Sequence, residues 1–282
     1  MDVALKYSDE YFFSPYVYPK SWPEDDLLRQ FISLNLIVDL GGTVLYLITA
    51  SLSWFFIFDS RLLQHPKALE NQVQREITFT LQSIPFMGLP TAALFLLEVR
   101  GYSRLYDSID EARFGWWSIV GTLLTFIMFT DFVIYWIHRW LHHPLIYKNI
   151  HKPHHQWKVP SPFASHAFHP LDGFAQSLPY HIYVFLFPMH KFVYLLLYVL
   201  VNIWTVSIHD GDYRVPKFLQ PIVNGSAHHM DHHVYYNYNY GQYFTLWDRI
   251  GGSFRYPTAY EGNGPLDQVK KMKGGKAGKK VE

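Results

Sequence analysis

The chain of 282 residues contains no cysteine. That absence excludes disulfides, thiolate nucleophiles and cysteine-ligated iron–sulfur clusters, and it removes the usual ligand of a structural zinc site. Charge of one sign is also missing. The 24 Lys and Arg residues stand against 23 Asp and Glu, a formal net charge of +1, so there is no signature of nucleic-acid binding. The opening residues, MDVALKYSDEYFF, hold no basic segment leading into an apolar core, which argues against a cleaved signal peptide. There is no internal repeat, and nothing marks a fused haem or flavin domain.

Charge is absent from whole stretches, and the mean hydropathy of -0.03 hides this unevenness. Leu40 to Phe58 is 19 residues without a charge, extended backwards past Asp39 by Phe31 to Val38. Ile77 to Leu97 is 21 uncharged residues, with Pro85 and Pro90 expected to kink it. Phe114 to Thr130 opens on Trp116-Trp117, a pair suited to a membrane interface, and continues past Asp131 to Ile137. Any one such run fits a buried helix of a soluble protein. Several of this length, each flanked by charge or aromatic anchors, point to spans of a lipid bilayer. Gly173 to Met189 and Phe192 to Ile208 are two further apolar runs of 17 residues, parted by His190-Lys191.

Histidine is what the chain has in excess. Fifteen of its 16 histidines lie between His138 and His233, and His65 stands alone. Most fall in three clusters: His138, His142 and His143; His151, His154 and His155; His228, His229, His232 and His233. Chance enrichment would scatter them or run them together as a tract. Spacings of three and four put imidazoles on one helix face, a turn apart, where they can share a metal. Pro153 confines the second cluster to the first turn of a helix. One ion takes about four to six ligands, so three clusters imply more than one. A nitrogen-rich set suits iron, although spacing leaves zinc and copper open. Asp131, seven residues before His138, shares its helix face, and with Asp210, Asp212 and Asp231 it is a candidate to orient ligand rings.

All three clusters must reach one side of the membrane if they share metals. Two clusters precede the paired 17-residue runs and one follows them, so a hairpin that enters and returns is expected there. The fold expected is an all-α integral membrane protein of four to five membrane helices, with the metal site at their ends. Residues 1–30 read as a surface or interfacial lead-in, 31–260 as the catalytic domain and 261–282 as a basic, disordered tail facing the cytosol. Within the domain, the Tyr- and Gly-rich residues 234–260 read as a cap on the metal site. The ending Lys279-Lys280-Val281-Glu282 resembles a dilysine retrieval signal of the endoplasmic reticulum. Asn224-Gly-Ser226 matches a glycosylation sequon, by accident if the metal site is beside it.

Four segments carry a closer resemblance: Phe163 to Gly173 (FASHAFHPLDG), Trp204 to Asp212 (WTVSIHDGD), Asn224 to His233 (NGSAHHMDHH) and Tyr240 to Ile250 (YGQYFTLWDRI). With the clusters and spans, from about Leu40 to Phe254, the chain resembles the sterol 5-desaturase branch of the fatty acid hydroxylase superfamily of membrane di-iron oxygenases. The resemblance implies an endoplasmic reticulum enzyme of cholesterol biosynthesis. It would desaturate lathosterol to 7-dehydrocholesterol with two iron ions, O2 and electrons from cytochrome b5. It further implies that His209, twenty residues before His229, binds metal. Thr205 stands where hydroxylases of the group hold another histidine, and His169 is the candidate to replace it. The alternatives are a sterol or fatty-acid hydroxylase on the same scaffold and, from another class, a histidine-rich metal transporter. A transporter would set ligands along a path within its spans, whereas these gather at span ends.

Overall fold

The computed structural model describes residues 1–278, so the Lys279-Lys280 pair lies outside the described residues. The first 17 residues fold as α1 (Asp2–Ser8) running into a π-helix (Asp9–Val17). Asp26 then starts α2 (Leu27–Phe56) by accepting the Leu28 and Arg29 amides at 3.0 Å, two donors that a first helical turn leaves unpaired. The guanidinium of Arg29 is buried against Asp9 at 3.0 Å, which ties the lead-in to this end of α2.

The 30 residues of α2 extend about 45 Å. Its outward stripe, Leu36, Leu40, Val44, Ile48 and Leu52, is apolar and exposed, the inverse of a soluble amphipathic helix. α3 (Gln72–Val99) runs as one helix through Pro85 and Pro90. After β1 (Leu105–Tyr106), α4 (Trp116–Leu141) begins at the exposed Trp116-Trp117 pair and ends in the first histidine cluster. These three are long and apolar enough to cross a membrane.

Short helices α5 (Pro144–Tyr147) and α6 (Lys152–His155) lead to α7 (Pro170–Leu186), β2 (Met189–His190) and α8 (Lys191–Ser207). α7 and α8 are two separate helices of 17 residues, about 26 Å each. Their turn is fixed by a parallel pairing of β2 with β1, and by hydrogen bonds from Arg104 N to Val184 O (2.7 Å) and from Met189 N to Arg104 O (3.2 Å). β1 follows the far end of α3. That end is marked by Glu98, which accepts from Tyr194; the near end is marked by Gln72, which donates to Val159 O beside the second histidine cluster. The α7–α8 turn therefore lies at the end of the bundle away from the histidines, and the chain returns to the histidine end along α8. The short β1–β2 ladder and an isolated antiparallel bridge between Val223 and Phe244 are small departures from an all-helical fold.

α9 (Ser226–Tyr235) carries the third cluster, followed by α10 (Leu246–Ile250) and α11 (Pro265–Gly278). The tail expected to be disordered is helical from Pro265. It docks where Gln268 Oε1 meets His65 Nε2 at 2.9 Å and Leu266 packs near Phe58 and Leu62. The main core lies between α2, α3, α4, α7 and α8, around Phe95, Phe126, Tyr183 and Tyr194.

Candidate metal centre

Nine histidines converge at one end of the bundle in two adjacent groups. His138, His142, His151, His155 and His232 form one; His154, His209, His229 and His233 form the other. Within each group, one ring nitrogen per residue lies within 4.8 Å of all the others. Helical spacing sorts them. The i,i+4 pairs 138/142, 151/155 and 229/233 each share a group, while the i,i+3 partners His154 and His232 turn to the other. The second and third clusters therefore each serve both groups and hold them side by side, with 5.8 Å between the ring centroids of His154 and His155.

The ring nitrogens face one another. His155 Nε2 is 3.1 Å from both His142 Nε2 and His151 Nε2. His229 Nε2 is 3.0 Å from His209 Nε2 and 3.1 Å from His233 Nε2. Two nitrogens bound at right angles to one ion, each at about 2.1 Å, stand about 3.0 Å apart. Four of the remaining nitrogens are locked outward. Nδ1 of His138 donates to Tyr240 O (2.9 Å), of His154 to Ala167 O (3.3 Å), of His209 to Thr205 O (2.7 Å) and of His232 to Tyr238 O (2.7 Å). Such bonds fix the tautomer whose Nε2 lone pair faces inward. The inward Nε2 atoms of His138 and His232 are buried and have no protein partner, a need that a bound cation would satisfy. The residues present therefore fit a metal centre.

Burial disfavours the charged form of most of these rings. His209 is pushed down to about 3, first by desolvation. His142, His154, His155, His229, His232 and His233 are held far below the ordinary imidazole range, by burial first and then by their neighbours. Neutral imidazole is the form that ligates.

Several expected residues stand outside the two groups. His143 is exposed, and its Nδ1 instead caps α5 by accepting from Leu145 N. His228 is buried against Phe254 and Tyr260 on the back of α9, one residue out of phase with His229. His169 caps α7 through Leu171 N and belongs to neither group. Asp131 touches no imidazole; it accepts from Tyr243 N (2.7 Å) and Phe244 N (3.3 Å), so it fixes the loop whose Tyr240 carbonyl holds His138. Asp231 accepts from Thr258 N (2.9 Å) and Oγ1 (2.7 Å) and ties down the C-terminal segment.

The carboxylate that does hold a grouped imidazole is Asp172, fully buried, with Oδ2 2.7 Å from His151 Nδ1. Sequence reading passes over it. The available signal is an acid in the first turn of an apolar helix, where desolvation demands a partner. The sequon at Asn224 is buried, with its side-chain amide bonded to Gly241 O.

A cavity opens from the centre into the bundle between α2, α3, α7 and α8. His138, His154, His209 and His229 line its inner end, and Val38, Ile84, Met87 and Val201 line its apolar walls.

Residues 123–253 match the family described as fatty acid hydroxylase. The chain is 62% identical to lathosterol oxidase of Homo sapiens over 98% of this chain and 92% of the relative. It is 61% identical to lathosterol oxidase of Mus musculus over 96% of this chain and 91% of the relative. A Delta(7)-sterol 5(6)-desaturase of Aspergillus fumigatus is 56% identical over 86% of this chain and 68% of the relative. No solved structure matches.

Proposed function

From the premise that the chain belongs to the fatty acid hydroxylase family, we propose that it is a sterol desaturase acting at C5–C6 of lathosterol to give 7-dehydrocholesterol. The observation that carries this reading is the pair of histidine groups at the head of an apolar cavity, in a chain 61–62% identical to mammalian lathosterol oxidases. The nine grouped histidines hold two iron ions; the all-imidazole donor set and the family support iron. O2 is the oxidant and cytochrome b5 the electron donor. The enzyme sits in the endoplasmic reticulum membrane with its histidine end towards the cytosol; three apolar helices support the membrane setting.

Bound iron supplies the oxidising power, with O2, to remove hydrogen from an unactivated C–H bond. The chain's own residues supply position. The cavity walls hold the rigid sterol lengthwise, so that one C–H pair lies at the histidine end. Asp172 and the carbonyls of Thr205, Tyr238 and Tyr240 keep the rings aimed. Burial of the centre keeps bulk water away from the reacting carbon.

The test is expression in cells that lack this desaturase and are fed lathosterol. A conjugated 5,7-diene should appear by ultraviolet absorbance and mass spectrometry. A hydroxysterol alone would move the protein to the hydroxylase reading. Lathosterol left untouched would reject the substrate.

A further inference from the structure

This inference rests on the desaturase reading and asks where its electrons enter. Reduction of O2 to two waters takes four electrons and four protons. Converting a CH–CH pair to C=C supplies two of each. The other two electrons, and two protons from water, come from outside, and the chain has no cysteine for an iron–sulfur relay. The electrons must therefore cross the protein surface from a carrier.

The two histidine groups differ in what they face. The cavity takes three of the four members of the smaller group but only His138 of the larger. The larger group has a second wall, outside the cavity lining, built of two half-buried tyrosine rings. Tyr147 lies 5.3 Å from His142 and 5.8 Å from His155, Tyr236 lies 5.2 Å from His155, and the two tyrosines are 6.0 Å apart. Tyr236 is held at φ 67° and ψ -43°, a conformation that L side chains with a bulky ring rarely adopt. Such strain persists only where the surroundings impose it, and it concentrates at functional sites.

Cations rim this wall. Lys158 Nζ sits 3.4 Å from the centre of the Tyr236 ring. Lys67 and Lys152 lie within electrostatic reach of Lys158, whose amine is pushed down to about 8 by burial first and then by their charges. Lys67 and Lys152 are exposed, and none of the three forms an ion pair among the described residues. Uncompensated positive charge around an aromatic wall one ring away from the ligands suits a negatively charged partner.

We propose that Tyr147 and Tyr236, rimmed by Lys67, Lys152 and Lys158, form the docking surface for an acidic one-electron carrier protein. The carrier docks twice per turnover and reduces the centre through its five-histidine side, while the sterol occupies the four-histidine side.

The test uses the purified, full-length holoenzyme without sterol and without O2, mixed rapidly with reduced cytochrome b5 while haem oxidation is followed by absorbance. The triple variant Lys67→Glu, Lys152→Glu, Lys158→Glu should slow this step by about tenfold or more. The wild-type rate should fall with added salt, and the variant should lose that dependence. Both proteins should carry the same metal and be reduced equally fast by a small uncharged reductant. A wild-type rate in the variant, or a wild-type protein indifferent to salt, overturns the inference. Lys152 adjoins His151. Should its replacement lower the metal content, Lys67→Glu with Lys158→Glu and the wild-type salt titration decide the matter alone. Failure of the desaturase reading looks different: chemically reduced wild-type enzyme would then give no diene from lathosterol and O2.

Discussion

His154 and His155 are neighbours in the chain and belong to different groups, as do His232 and His233. Clusters were legible in the sequence because histidine spacing is; the choice within each doublet was not. It depends on helix phase and on where each Nδ1 finds a carbonyl, and the carbonyls of Ala167, Thr205, Tyr238 and Tyr240 have no signature in residue type. The structure separates His142 from His143 and His229 from His228, and this can be tested. His154→Ala and His232→Ala should each abolish sterol conversion, with the protein still expressed in the membrane, whereas His143→Ala should stay within about threefold of wild type. Conversion assays on membranes with matched protein amounts check this; near-wild-type turnover in His232→Ala would remove the shared-centre reading. Acid should act through the same rings. The unfolded chain takes up protons on histidine below about pH 6.5, while the buried rings resist until far lower, His209 until about 3. The folded state then binds fewer protons, so stability is fully present above about 6.5 and is lost as pH falls below it. Asp210, pushed up to about 7, and the likewise raised Asp231 and Asp248 pull the other way, but seven depressed imidazoles outnumber them. Thermal unfolding of the protein in detergent should show a lower midpoint at pH 5 than at pH 7.5; a flat or opposite trend would contradict the sign.

At the scale of elements, α7 and α8 are the instructive case. Two apolar runs of 17 residues, each about 26 Å as a helix, could be one interrupted span or a hairpin. The need to bring the third histidine cluster back to the first two favours the hairpin, and the β1–β2 pairing puts its turn beside the α3–α4 connection. That pairing was not legible, because two residues of strand carry no periodicity. The buried Asp9–Arg29 pair was not legible for a related reason: both look like surface charges until they are seen against each other. Single cysteines report the topology without background, since the chain has none of its own. Cysteines at Lys158 and Arg214 should both react with an impermeant thiol reagent from the cytosolic face of sealed microsomes, and one at Asp107, in the α3–α4 connection, should not. Labelling of Lys158 and Arg214 from opposite sides would break the hairpin arrangement.

For the molecule as a whole, the long apolar helices, the gathering of the histidines and the sterol chemistry were legible together because each depends on residue type in long patterns: uncharged runs, histidine spacing and four motif segments. The docking surface proposed for the electron carrier was not, since it depends on which side chains the fold sets beside the five-histidine group. The central claim is that nine histidines, split five and four, hold two iron ions. The most direct measurement is elemental analysis of the purified chain beside variants that empty one group at a time. The account predicts close to two iron per chain in the wild type, and close to one both in His209→Ala with His229→Ala, which leaves the five-histidine group intact, and in His142→Ala with His151→Ala, which leaves the other. A single iron in the wild type, or another metal in its place, would contradict it.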